Sequence, residues 1–255
     1  MSEAESGITE DAFLGGRLRL RQQISGHRAG HDAILLAAAT AARAGQRVAD
    51  FGAGVGAAGL ALAMRVAGLN LVMVEFDPVL AGLAAANAAA NGIAAEVAML
   101  DISADAATFA AAGLGPDSLD GVLMNPPFND PVHHRGSPDA ARQTAHLGTP
   151  ATLDSWTHAA RRVLKSGGVL TMIWRADGIA DVMAALAKGF GSLAIQPIHG
   201  APGPPAIRIL VRAVKGGRGP TQIYSGLLLN DSAGLPNPQA RAILIGEATL
   251  PFAEL

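Results

Sequence analysis

Between residues 46 and 216, short apolar runs alternate with alanine-rich stretches, and this narrows the possible folds more than any other property of the chain. "QRVADFGAG", "LNLVMVEFD", "AEVAMLDI", "DGVLMNPPF" and "GVLTMIWRA" read as strands. Between them, "VGAAGLALAMRVAG", "PVLAGLAAANAAANG", "SADAATFAAAG" and "TLDSWTHAARRVLKSGG" read as helices, with Pro78 opening one and Gly68 and Gly92 closing two. A helix over about 178–190 and the strands "SLAIQPIHG" and "PAIRILVRAVKG" complete the series. Strands separated by helices imply an α/β fold, a mostly parallel sheet with helices on both faces. Only 4% of the residues are aromatic, so the core is expected to be mainly Ala, Leu, Val and Ile.

The ends are less regular. Residues 1–11 are expected to be disordered, and 13–25 to form a short extended or hairpin segment. "HDAILLAAATAARA" reads as a helix with Asp32 placed to cap its start. The chain divides into an N-terminal extension and cap helix over 1–45, a main domain over 46–216 and a tail over 217–255. The loop at 129–150 is long for a strand-to-helix connection, which marks it as functional or mobile.

Composition removes several classes of function. There is no cysteine, so disulfides, cysteine-ligated zinc and thiol catalysis are excluded. The acidic start "MSEAESGITEDAF" does not resemble a signal peptide, and no apolar stretch reaches the ~18 residues of a membrane span. A cytoplasmic location without membrane contact follows as the expectation. The net charge of −2 offers no general field for nucleic acid, so such a partner would need a local basic patch. "RLRLR" puts Arg17, Arg19 and Arg21 on one face of a strand, either as a phosphate-contacting row or as a charged edge.

The most informative turn is "ADFGAGVGAAG". Asp50 ends the first strand, and Gly52, Gly54 and Gly56 let the backbone bend and approach a ligand. Counted from Gly52, the third glycine falls one place earlier than in the G-x-G-x-x-G of nicotinamide enzymes, as G-A-G-V-G, and a P-loop lysine is missing. Glu75 ends the second strand, where a carboxylate can accept both ribose hydroxyls of a nucleoside. Asp101 ends the third, placed to meet an adenine amino group with Ile102 packing on the ring. Each has a plainer role: Asp50 bonding loop amides, Asp101 capping the next helix. Together, acids at successive strand ends beside a glycine turn point to a nucleoside-type cofactor.

"MNPPF" ends the fourth strand. A planar amino nitrogen is a poor nucleophile because its lone pair is delocalised. Two acceptors, the Asn125 side-chain oxygen and the Pro126 carbonyl, can hold its two N–H groups and aim it at an electrophilic methyl. Pro126 and Pro127 stiffen the turn and donate nothing that competes for those acceptors. Phe128 can stack on a flat substrate, worth roughly 1–3 kcal/mol.

These motifs resemble the class I S-adenosylmethionine-dependent methyltransferases across most of residues 46–215. The resemblance implies a Rossmann-like seven-stranded sheet whose final strand, "AIRILVRAV", is antiparallel. It implies S-adenosylmethionine as cofactor, its methionine part near Asp50, Gly52 and Gly54, ribose at Glu75 and adenine at Asp101 and Ile102. With "GHRAGHDAILLAA", "ARRVLKSGGVLTMIW" and "PAIRILVRAVKGG", "NPPF" is most similar to the bacterial tRNA (valine) adenine-N6-methyltransferase family. That similarity implies methyl transfer to the exocyclic amine of adenine in RNA, with tRNA the expected partner. It adds Gly30 and Asp32 as cofactor contacts and Asn125, Pro126, Pro127 and Phe128 as the catalytic turn, with Asn125 also facing the cofactor.

Other readings keep parts of this pattern. A protein-glutamine methyltransferase of the release-factor type shares the motif but carries a helical domain before the glycine loop. A small-molecule O-methyltransferase would leave the asparagine without a purpose, as would a non-catalytic cofactor-binding or RNA-binding module. His133, His134, Arg135, Arg142 and His146 suit a basic lip for phosphates better than a metal site, and no metal is expected. Arg161, Arg162 and Lys165 read as cations at a helix C-terminus, and Trp156 and Trp174 as packing residues.

Overall fold

The computed structural model describes residues 7–25, 28–127 and 150–253. A hairpin comes first, β1 (Ile8–Phe13) paired antiparallel with β2 (Leu18–Gln23) along its whole length. The main sheet holds β3 (Arg47–Phe51), β4 (Asn70–Glu75), β5 (Ala95–Met99), β6 (Leu119–Met124), β7 (Leu164–Arg175), β8 (Phe190–His199) and β9 (Arg208–Lys215). Their spatial order is β8-β9-β7-β6-β3-β4-β5. Only β9 runs antiparallel to its neighbours, β7 and β8. The seven long strands therefore match the expected Rossmann-like sheet with its antiparallel last strand. Two two-residue strands, β10 (Gln222–Ile223) and β11 (Leu227–Leu228), add to the β8 edge. Segments that short have no period to read from sequence.

Helices cover both faces. On one lie α1 (His31–Ala39), α2 (Ala57–Arg65), α3 (Pro78–Ala90) and the late α7 (Pro238–Leu244), joined through Leu35, Leu36, Leu60, Leu62, Ala84 and Ile243. The other carries α4 (Ala106–Ala111), α5 (Pro150–Val163) and α6 (Ile179–Leu186), joined through Phe109, Leu153, Val163, Val182 and Leu186. Both ends of the chain feed the first cluster: Leu18 and Leu20 from β2, and Leu227, Leu250 and Phe252 from the tail. Among the described residues no helix is long and apolar enough to cross a membrane.

Three expectations at the ends are corrected. Residues 8–11 are not disordered but form β1, where Arg28 ties to Thr9 (2.9 Å) and to the Asp11 carboxylate. Helix α1 stops at Ala39 rather than running to residue 44. Thr40 leaves the helix, its hydroxyl donates back to the Leu36 carbonyl (2.7 Å), and Arg65 caps the Ala37 carbonyl (3.1 Å). Arg17 leaves the row with Arg19 and Arg21: it precedes β2 and donates to the Ile245 carbonyl (2.6 Å). Arg19 and Arg21 do point outward, and Glu10 on β1 faces both, at 2.9 and 4.0 Å.

The free edge of β2 is closed by side chains. Asn91 accepts from the Arg19 N–H (3.0 Å) and donates to the Arg19 carbonyl (2.7 Å). One helical turn earlier, Asn87 does the same for Arg21, at 2.8 and 3.1 Å. Two amides at i and i+4, Asn87 on α3 and Asn91 at its C-cap, thus stand in for a neighbouring strand. Without them β2 would present unpaired N–H and C=O groups.

Candidate functional site

Strand register assembles the site. Phe51 lies opposite both Val74 and Met124, so the next residues, Glu75, Gly52 and Asn125, fall in one row across β4, β3 and β6. Adjacent strands are roughly 5 Å apart, so the row spans about 10 Å. Glu75 pairs with Met99, which puts Asp101 just past the end of β5 on the far side.

The glycine loop is locked from beneath. Gly52, Gly54 and Gly56 have φ of +67°, +57° and +89°, a region costly for any residue with a Cβ. Their order is held by carboxylates. Asp50 is buried, and its Oδ2 accepts from the Gly59 N–H at 2.7 Å. Glu75 is also buried; its Oε2 accepts from Gly54 N–H (2.7 Å) and its Oε1 from Phe76 and Asp77 N–H (2.9 and 3.0 Å). The plainer reading of Asp50 is corrected in its partner: the carboxylate bonds an N–H in the first turn of α2, which follows the loop, rather than a loop amide. Burial raises its pKa to about 7; the Gly59 N–H opposes this and the charge of Glu75 adds to it.

Asp101 uses Oδ1 for the N–H and hydroxyl of Ser103, both at 2.7 Å. It does not cap the next helix. Asp105 does, accepting from the N–H and hydroxyl of Thr108 at 2.8 Å, and these bonds hold its carboxyl below the ordinary range. Ile102 is buried beside it. Asn125 directly follows β6, and its Oδ1 is buried with no hydrogen-bond partner among the described residues. Pro126 is buried and Pro127 half-buried. Phe128 and the cationic loop residues His133, His134, Arg135, Arg142 and His146 lie outside the described residues.

Gly30 and Asp32 sit at the start of α1. Gly30 occupies the cap position and is exposed. Asp32 makes no cap hydrogen bond; instead it accepts from Arg208 Nε at 2.9 Å. Arg208 pairs with Arg175, the last residue of β7, so this ion pair stands at the same sheet edge as Asn125. Of the three cations expected at one helix end, Lys165 lies in β7 and pairs with Asp120 (2.6 Å). Arg161 donates to the Lys188 carbonyl (3.0 Å), and Arg162 lies over the Phe109 ring at 4.5 Å.

Three contributors escaped the sequence reading. A Cβ on Gly59 would sit 3.0 Å from Asp50 Oδ2, so that glycine admits the buried acid. Asn87, fully buried, donates to the Val55 carbonyl (2.9 Å) and so joins the glycine loop to β2. Its signal was an asparagine, a weak helix former, repeated at i+4 in an alanine helix. Trp156 on α5 lies against Gly52: a Cβ there would overlap ring atom Cη2 and stand 3.1 Å from Cζ3.

The pattern now has a counterpart among known proteins. The methyltransferase small domain matches residues 28–197. The chain belongs to that family. A protein of Porphyromonas gingivalis named tRNA1(Val) (adenine(37)-N6)-methyltransferase is 30% identical over 181 residues, 68% of each chain. A release factor glutamine methyltransferase of Chlorobaculum tepidum is 26% identical over 155 residues, and this chain spans only 52% of its length. Among solved structures, an Agrobacterium tumefaciens protein described as a predicted O-methyltransferase superposes with a TM-score of 0.72 at 30% identity, covering 86% of this chain and 98% of that one. A Thermus thermophilus 16S rRNA N2 methyltransferase in complex with AdoMet and guanosine shares the fold at 20% identity, with a TM-score of 0.56 and coverage of 82% and 50%.

Proposed function

We propose that this methyltransferase uses S-adenosylmethionine to methylate the exocyclic amino nitrogen of adenine in RNA, with tRNA as the substrate molecule. The observation that carries the reading is the Oδ1 of Asn125 at the end of β6, buried and without a hydrogen-bond partner among the described residues. A buried acceptor without a donor costs about 1–3 kcal/mol, so the fold keeps it against that cost. A substrate N–H satisfies it.

The residues present fit the cofactor. Among the described residues nothing lies within 4 Å of where a Gly54 Cβ would stand, so they leave the loop open there to a ligand. Glu75 has about four acceptor positions and three carry backbone N–H groups, leaving one for a ribose hydroxyl. Asp101 keeps Oδ2 for an adenine amine, with Ile102 beside it. Asp50, Gly52 and Gly54 hold the methionine part, and Gly30 and Asp32 close that end.

When bound, the cofactor supplies a sulfonium methyl that needs no activation by the protein. The chain's contribution is position. Asn125 Oδ1 and the Pro126 carbonyl accept the two N–H groups of the substrate amine and turn its lone pair toward the methyl. Pro126 and Pro127 keep those acceptors from rotating, and Phe128 stacks on the base. Holding reactants in line in this way can supply several kcal/mol of rate enhancement. No base is required before transfer, because the proton leaves only after the nitrogen has become cationic.

Asn125→Ala is expected to retain S-adenosylmethionine binding and lose methyl transfer; unchanged turnover removes Asn125 from the mechanism. The substrate is identified by mass spectrometry of nucleosides from tRNA with and without the protein, where N6-methyladenosine should rise. The relative named for release factors sustains a second reading, a glutamine side-chain amide, which presents the same planar NH2. Methylation of a glutamine peptide with no change in tRNA selects that alternative.

A further inference from the structure

Trp156 occupies the one place in the row that the reaction itself must cross. Glu75, Gly52 and Asn125 are consecutive across three strands. If ribose is held at Glu75 and the substrate amine at Asn125, the sulfonium and its methyl lie between them, over Gly52. The ring of Trp156 rests on Gly52, closely enough that any side chain there would overlap it. Leu153, Ala160 and Val163 of the same helix are fully buried and hold α5 in place, whereas Trp156 itself is only partly buried. Part of the indole is therefore left uncovered, beside the backbone of Gly52.

We propose that the Trp156 indole flanks the sulfonium and makes the site prefer the cationic methyl donor over its neutral thioether product. This rests on the function proposed above. A cation beside an aromatic face is attracted by the ring quadrupole, most strongly for Trp. S-adenosylmethionine carries that charge, and S-adenosylhomocysteine, formed when the methyl leaves, does not. The same ring thus favours loading of the donor and release of the product. It also assigns Gly52 a purpose beyond flexibility, as the floor on which the indole lies.

The test is calorimetric titration of both ligands into the wild type, Trp156→Phe and Trp156→Leu. Loss of the ring should weaken S-adenosylmethionine by about fivefold while S-adenosylhomocysteine changes little, and Phe should restore much of the ratio. Equal weakening of both ligands, or an unchanged ratio in Trp156→Leu, overturns the proposal and leaves Trp156 a packing residue. Failure of the wild type to bind either ligand instead refutes the underlying methyltransferase reading. If Trp156→Leu does not fold, Trp174→Phe leaves Trp156 as the sole indole of the chain's two. Its fluorescence should then respond more to S-adenosylmethionine, and to the ammonium analogue sinefungin, than to S-adenosylhomocysteine. An equal response to all three overturns the proposal as surely.

Discussion

Asp50→Asn separates the buried carboxylate's proton from its shape. The amide keeps an oxygen for the Gly59 N–H but cannot ionise. In the wild type the folded pKa stands near 7 against an ordinary value of 3.8, so between those values the native state holds a proton that the unfolded chain has lost. The native state binding more protons means that stability falls as pH rises through this window and levels off above it. Integrating between pH 5 and pH 8 gives a loss of roughly 2–3 kcal/mol from this one group. At about 2–4 °C per kcal/mol for a chain of this size, that is a fall in Tm of roughly 5–10 °C. The assay is denaturation of both proteins at pH 5 and pH 8, comparing the two differences so that titrations common to both cancel. The variant should lack this component and gain on the wild type at pH 8. Parallel pH profiles would falsify the claim that Asp50 is buried in its neutral form. The cofactor supplies a second reading: if its ammonium meets Asp50, wild-type affinity rises with pH through about 7, and Asp50→Asn loses that rise.

Further outcomes follow from single contacts. Gly52→Ala should abolish cofactor binding and destabilise the fold, and part of the stability loss should return when Trp156→Ala is added; additive losses in the double mutant refute the contact. Asn87→Ala strands the Arg21 N–H and two carbonyls, so it should cost about 2 kcal/mol or more in urea denaturation and weaken the cofactor as well, a result that pure packing loss would not produce. If Arg19 and Arg21 contact RNA phosphates, Arg19→Ala with Arg21→Ala should raise the KM for tRNA and lower its salt dependence by about one unit of log–log slope per contact. An unaltered salt slope excludes that face from the RNA.

Local chemistry made most of the architecture legible. Pro78, together with Asp77, which accepts from the Val79 and Leu80 N–H groups, marks where α3 begins. The glycines of "FGAGVG" mark a turn because their positive φ values exclude other residues. Acids and an amide within two residues of strand ends reveal a ligand edge, since parallel strands leave that edge open. Non-local geometry was not legible. Residues 8–11 look too polar to order themselves, yet they pair with β2 and are held by Arg28. Asp32 has the residue type of a helix cap, but Gly30 takes the cap position and Arg208, 176 residues later, takes the Asp32 carboxylate.

Between residues 46 and 216 the sequence by itself determined the order of strands and helices, the glycine turn and the amide-proline turn, because periodicity and backbone dihedral limits act over a few residues. Only the tertiary structure decided which carboxylates latch the loop, that burial raises the Asp50 pKa to about 7, and that an indole lies on Gly52. Those properties depend on desolvation and on distances between residues far apart in the chain, and neither is written in any local pattern.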